Sequence, residues 1–174
     1  GDTGQLTKAV KASFTNTRSE GGLYVTKSVM SYLQTDKDRS FKYRVTIYDG
    51  DPENGGTVKE TVNGAYGGES KAAGAMEFKN GVASFTLKDG DVAFAENLPE
   101  GAYYKVEEDL EGSDDFVVAL IDPTAGIIKR DETTGTYYIV GKVEKGKIQT
   151  IPYLNGHKSG NLEVTKRLAE GTTT

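Results

Sequence analysis

The sequence predicts an all-β fold, an antiparallel sandwich, on three observations. Apolar and polar residues alternate with a period of two, the alternating stretches are short, and turn-forming glycine motifs separate them. Successive side chains of a strand point to opposite faces, so this alternation is what strands buried on one face require.

Taken in chain order, Leu23 and Val25 open the series and Phe41, Tyr43, Val45 and Ile47 continue it. The stretch 50–75 breaks the pattern. It is glycine-rich with little apolar period and reads as a long insertion, with a helical turn expected near 69–73. Alternation resumes with Ala83, Phe85 and Leu87, then Val92 and Phe94, then Ala102, Tyr104 and Val106. Residues 116–121 form a continuous apolar run, the expectation for a more fully buried strand, and 137–140 and 148–154 complete the set. Asp49-Gly50, Lys79-Asn80-Gly81, Asp89-Gly90-Asp91, Pro99-Glu100-Gly101 and Thr134-Gly135 supply the turns.

A chain of 174 residues is long enough for one well-buried domain. With 36% hydrophobic and 27% charged residues, the composition is globular rather than disordered. The net charge is −5 and the basic residues are scattered, which argues against nucleic acid as a partner, since phosphates require a concentrated basic face. No apolar run approaches the roughly 20 residues of a membrane span, so no membrane insertion is expected within these residues. The start is polar, and targeting and anchoring parts are expected elsewhere. There is no cysteine, so disulfides contribute nothing.

The chain repeats itself. FTNTRSEGGLYVTK at 14–27 aligns without a gap to YLNGHKSGNLEVTK at 153–166. Asn16, Gly21, Leu23, Val25, Thr26 and Lys27 recur as Asn155, Gly160, Leu162, Val164, Thr165 and Lys166. Each segment reads as the end of one module, a joint, and the start of the next. The expected division is therefore 1–21 as the terminal strand of a preceding repeat plus linker, 22–158 as one complete domain, and 159–174 as linker plus first strand of a following repeat.

Three polar side chains stand on core-facing stripes. Lys27 follows Leu23 and Val25, Glu108 follows Tyr104 and Val106, and Asn155 follows Ile151 and Tyr153. Each, taken singly, also fits a strand end where the side chain regains water. Together in an apolar pocket they imply chemistry. Burial favours a neutral lysine amine and a neutral carboxylic acid. A neutral Lys27 amine attacks the Asn155 carbonyl, while Glu108 polarises the amide and passes a proton to departing ammonia.

These residues and their surroundings resemble a known family, the CnaB-type repeat domains of Gram-positive collagen adhesins and the related isopeptide-bearing modules of backbone pilins. The resemblance is carried by LYVTKSV at 23–29, FKYRVTIYDG at 41–50, FTLKDGDVAFAENLPEGAYYKVEED at 85–109 and IPYLNG at 151–156. It implies an immunoglobulin-like β-sandwich of inverse topology, with Lys27 and Asn155 as the cross-linked pair and Glu108 as the catalytic acid. It also implies that Asn16 and Lys166 pair with partners in neighbouring repeats. The protein would then be a stalk or shaft module of an extracellular, cell-wall-anchored adhesin or pilus, its partners being adjacent repeats of the same polypeptide. It would need no cofactor and no metal, and would be no enzyme beyond a single self-directed reaction. Glu107 is expected to point outward. No Leu-Pro-x-Thr-Gly sorting motif is present.

Other classes of function find less support in the residues. A nucleophilic triad would have to use the one histidine, His157, expected in an exposed joint. A carboxylate pair drawn from Glu107, Glu108, Asp114 and Asp115 reads more simply as a strand followed by a solvated acidic loop. Asp49, Asp51, Glu53 and Glu60 approach a calcium-loop spacing, but Pro52 intrudes and Asn54 stands where glycine is needed. The alternative of a binding module for a host protein or glycan would use the 50–75 insertion, with Tyr66 as an aromatic platform. Exchange of end strands between molecules is a further alternative.

Overall fold

Period-two segments become strands where expected, and the turns between them carry the glycines that the sequence singled out. The computed structural model describes residues 20–67 and 74–158. The helical turn expected at 69–73, the positions Asn16 and Lys166, and most of the flanking segments 1–21 and 159–174 lie outside the described residues.

In order, the strands are β1 (Glu20–Met30), β2 (Phe41–Tyr48), β3 (Gly64–Ala65), β4 (Glu77–Phe78), β5 (Val82–Leu87), β6 (Val92–Pro99), β7 (Tyr103–Asp109), β8 (Phe116–Leu120), β9 (Lys129–Arg130), β10 (Tyr137–Lys142) and β11 (Ile148–His157). One short helix, α1 (Gln34–Lys37), joins β1 to β2. Two sheets form the sandwich: a four-stranded sheet in the order β6-β1-β11-β8 and a five-stranded sheet in the order β5-β2-β7-β10-β9. The all-β, immunoglobulin-like sandwich predicted from the sequence is the observed architecture.

The first and last strands lie side by side at the centre of the four-stranded sheet, and they run parallel. A hairpin cannot join parallel neighbours, so everything between them is one long crossover through the other strands. Because β1 and β11 point the same way, the chain enters this domain at one pole and leaves it at the other. Leu23, Val25, Val29, Ile151 and Tyr153 from this central pair face Phe41, Val45, Ile47 and Val106 of the opposite sheet, and all are buried.

Two expectations are corrected. Val92 and Phe94 do not face the core: Val92 is 40% exposed, and the inward residues of β6 are Ala93 and Ala95. Phe94 is covered on the outer face, where it stacks on Tyr24 and receives a hydrogen bond at its carbonyl from Met76. Small alanines fit opposite the close-packed β1, while the insertion shields the outside ring. Second, the apolar run 116–121 is not a central strand. β8 is the edge of its sheet, with Val117 and Val118 half-buried and Ile121 51% exposed. The 50–75 insertion, as expected without an apolar period, is anchored to the core through single residues, Val62 and, just after it, Met76. Isolated anchors leave no period for sequence reading to detect.

A bulge sets the register of β6. Gly21 pairs with Leu98 and Leu23 with Ala95, so β6 carries one extra residue there. Asn97 adopts the left-handed conformation, φ 66°, that asparagine tolerates better than most side chains. The alternation Ala93, Ala95 therefore resumes at Leu98, which is fully buried.

Candidate functional site

Lys27 sits inside β1 rather than at its end: Val25 before it and Val29 after it are both buried. Glu108 is followed on the same inward stripe by buried Leu110, and Asn155 is followed by Gly156 and His157 within β11. The strand-end alternative thus fails for each of them. The side chains of Lys27 and Glu108 are 0% exposed, and Asn155 is 0% exposed as a residue. Lys27 and Asn155 come from adjacent strands of one sheet, and Glu108 faces them from β7 of the other.

The polar contacts form one network. Lys27 Nζ donates to Glu108 Oε2 at 2.7 Å and to Tyr43 Oη at 2.8 Å. Tyr43 Oη donates to the same Oε2. Asn155 Nδ2 donates to Glu108 Oε1 at 3.0 Å and to the Val117 carbonyl at 3.1 Å. Two acceptors therefore flank the amide nitrogen, while Asn155 Oδ1, also buried, has no hydrogen-bond partner among the described residues. The Glu108 carboxylate spans the gap between an amine and an amide, one oxygen on each.

Aromatic rings close the pocket. The Phe41 ring centroid is 3.8 Å from Lys27 Nζ, and Phe41 meets Phe116 edge-on at 5.3 Å. Tyr43 meets Tyr153 edge-on at 5.2 Å. Tyr153 Oη donates to the backbone carbonyls of Val106 and Tyr137 and takes no part in the network. Burial pulls the Lys27 ammonium down to about 8, against the opposing pull of the Glu108 charge. Burial first, and the Glu108 charge second, push the Tyr43 phenol well above its ordinary value. Tyr43 is therefore a neutral donor throughout the physiological range.

The remaining candidates are placed elsewhere. Glu107 does face the outside of its sheet, but it is only 5% exposed. Arg44 covers it, with Nε at 2.9 Å from Oε1, and Lys105 pairs with Oε2 at 3.1 Å. Glu107 and Glu108 thus lie on opposite faces and do not form a carboxylate pair. His157 is not in an exposed joint; it ends β11, packs against Phe116 and lies 3.0 Å from Asp115. Asp49 pairs with Lys59 at 3.0 Å, Glu53 pairs with Lys129 at 3.0 Å, and Asp51 caps the 3-10 turn Pro52–Asn54. Tyr66, expected as an aromatic platform, is half-buried and packs edge-on against Phe78 at 5.4 Å. Asn16 and Lys166 fall outside the described residues.

Sequence reading passed over Tyr43, which it counted only as a core residue. Its signal was present: a tyrosine on a wholly inward stripe needs a partner for its hydroxyl.

The fold is that of the pilin-type domains of Gram-positive surface proteins. The pilus-presented adhesin Spy0125 (Cpa) of Streptococcus pyogenes matches with a TM-score of 0.54 at 20% identity, over 81% of this chain and 28% of the adhesin chain. A major pilin of the same species matches with a TM-score of 0.50 at 20% identity, over 80% of this chain and 48% of the pilin. The chain thus spans less than half of either protein. Residues 21–142 match the family model described as domain of unknown function DUF7601, and the chain belongs to that family. A comparison with curated proteins returns no match.

Proposed function

We propose that this chain is a structural module, stalk or shaft, of a Gram-positive cell-surface adhesin or pilus, locked by an autocatalytic isopeptide bond between Lys27 and Asn155. One observation carries the reading: a single buried carboxylate, Glu108, hydrogen-bonds both the Lys27 amine and the Asn155 amide nitrogen. Nucleophile, proton carrier and leaving group are thereby joined in the water-poor interior of the sandwich.

The chemistry follows from the placement. The Lys27 ammonium passes a proton to Glu108 Oε2, leaving a neutral pair, which burial favours. The Nζ lone pair attacks Asn155 Cγ and forms the new C–N bond. Glu108 Oε1, already against Nδ2, lies where a proton must be delivered for that nitrogen to depart as ammonia. Glu108 gives its proton to Nδ2 and takes the second proton of Nζ, so it ends as the neutral acid, and the balance is one amide formed and one ammonia released. Folding presents the groups at the high effective molarity of an intramolecular reaction, so no external enzyme is required. The event occurs once per molecule and is maturation rather than turnover.

The bond would tie the first strand to the last. Because β1 and β11 are parallel neighbours, tension applied at the two poles loads them in shear, and a covalent link between them bypasses the hydrogen-bonded ladder. That suits an extracellular, wall-anchored fibre whose sequence contains no cysteine. In a tandem array, adjacent repeats would be the partners, with Asn16 and Lys166 supplying the matching groups for them.

The test is the intact mass of the protein beside Glu108→Ala. The parent is expected to be lighter than its calculated mass by one ammonia, and the variant to show its full mass. A parent at full mass would sink the proposal. A loss of two ammonias would mean that Asn16 or Lys166 also reacts between chains.

A further inference from the structure

We infer that Tyr43 is a fourth participant in this site, holding the Lys27 amine in place for attack once its proton has moved to Glu108. The inference rests on the bond-forming reading above and adds a role to a residue outside the lysine, asparagine and carboxylate set.

The geometry assigns the task. Tyr43 Oη contacts both members of the ion pair, accepting from Nζ at 2.8 Å and donating to Glu108 Oε2. One hydroxyl can do both, since it carries one proton and two lone pairs. The ammonium has three N–H groups. One points to Oε2, one to Tyr43 Oη, and the Phe41 ring face lies 3.8 Å away to receive the third. When the first proton transfers to Oε2, two holds remain on the neutral amine, and Tyr43 is the directional one. Without it, the new O–H of Glu108 turns the amine lone pair towards itself, away from Asn155 Cγ. The phenol does not drift, because Tyr43 stacks on Phe85 at 5.9 Å and meets Tyr153 edge-on.

Acceptance from Nζ by the Tyr43 hydroxyl also stabilises the charged form of Lys27. Removing the hydroxyl therefore has a second signature. Lys27 then releases its proton at a lower pH than in the parent.

The experiment compares the parent, Tyr43→Phe and Tyr153→Phe by intact mass, from rapid purification through prolonged incubation at a series of pH values. Tyr153 is the control: it is equally buried and packs on Tyr43, but among the described residues its hydroxyl bonds only to backbone carbonyls. The parent and Tyr153→Phe are expected to have lost ammonia fully at the first time point. Tyr43→Phe is expected to be incompletely converted and to finish at least about tenfold more slowly, as misplacement of a reacting group predicts, with its pH profile displaced to lower pH. Full conversion of Tyr43→Phe at the first time point overturns the inference, as does equal slowing in Tyr153→Phe, which would make the effect one of packing. A parent that has lost no ammonia overturns the proposed function itself, and is distinguishable from either result.

Discussion

At the scale of the residue, Lys27 states the energetic problem of the site. A lysine buried among Val25, Val29 and Phe41 is costly as an ammonium, and its pKa falls from 10.5 to about 8. The consequence is measurable in Asn155→Ala, which removes the acceptor amide and leaves Lys27 unbonded. Between about pH 8 and 10.5 the unfolded chain still holds the lysine proton that the folded chain has released. Stability therefore rises with pH across this window, and the gain is lost as pH falls through 8. The full shift corresponds to about 3 kcal/mol. Tyr43 and Tyr153 act oppositely. Both are raised above 10.0, so above that pH the unfolded chain sheds phenolic protons that the folded chain keeps, and stability declines. Urea unfolding of Asn155→Ala at successive pH values should show a maximum near pH 10. A midpoint that stays flat from pH 8 to 10 would contradict the buried, perturbed lysine.

At the scale of the element, the placement of the lysine depends on the register of β1. The strand is held between antiparallel β6 and parallel β11, and a one-residue slip would turn Lys27 to solvent. The bulge at Asn97 allows Leu98 to return inward, and the entry of β1 is pressed against the turn before β11. A side chain at Gly21 would place its Cβ 2.3 Å from the Glu144 carbonyl oxygen, a backbone atom that cannot step aside. Gly21→Ala is expected to destabilise the fold by about 1–3 kcal/mol through this overlap, read as a lower denaturation midpoint. It should still lose ammonia where it folds, because the site lies further along the strand. An unchanged midpoint would show that this end of β1 is free to move.

At the scale of the whole molecule, the arrangement of first and last strands determines what the bond does. Its two ends are neighbours in space but enclose most of the described chain in sequence. In the loop-entropy account, closing such a loop contributes about 4–5 kcal/mol. Calorimetry of the parent against Asn155→Ala should then show a melting temperature higher by about 10–20 °C. Equal melting temperatures in proteins whose masses differ by ammonia would separate the bond from stability, leaving only its mechanical role. The likeness to pilin and adhesin domains concerns the fold, and this chain covers 28% of the adhesin and 48% of the pilin it matches. The array around the module is part of the proposal.

The sequence by itself determined the class of fold, because the side-chain period of a strand is written directly in residue order. It also singled out Lys27, Glu108 and Asn155, because a polar residue on an apolar stripe is visible as a break in pattern. Other features needed the tertiary structure. Which face of β6 points inward depends on the Tyr24–Phe94 stack and on the insertion that covers it, contacts between residues far apart in the chain. That β8 is an edge strand depends on sheet order, which composition does not encode. The burial of Glu107 depends on Arg44, its partner across the sheet on β2, together with Lys105 two residues before it on β7. Tyr43 entered the site only when β2 was laid beside β7, bringing its hydroxyl to Glu108. Periodicity reports what each strand must bury; only packing decides which groups meet once they are buried, because hydrogen bonds and ion pairs form across space and not along the chain.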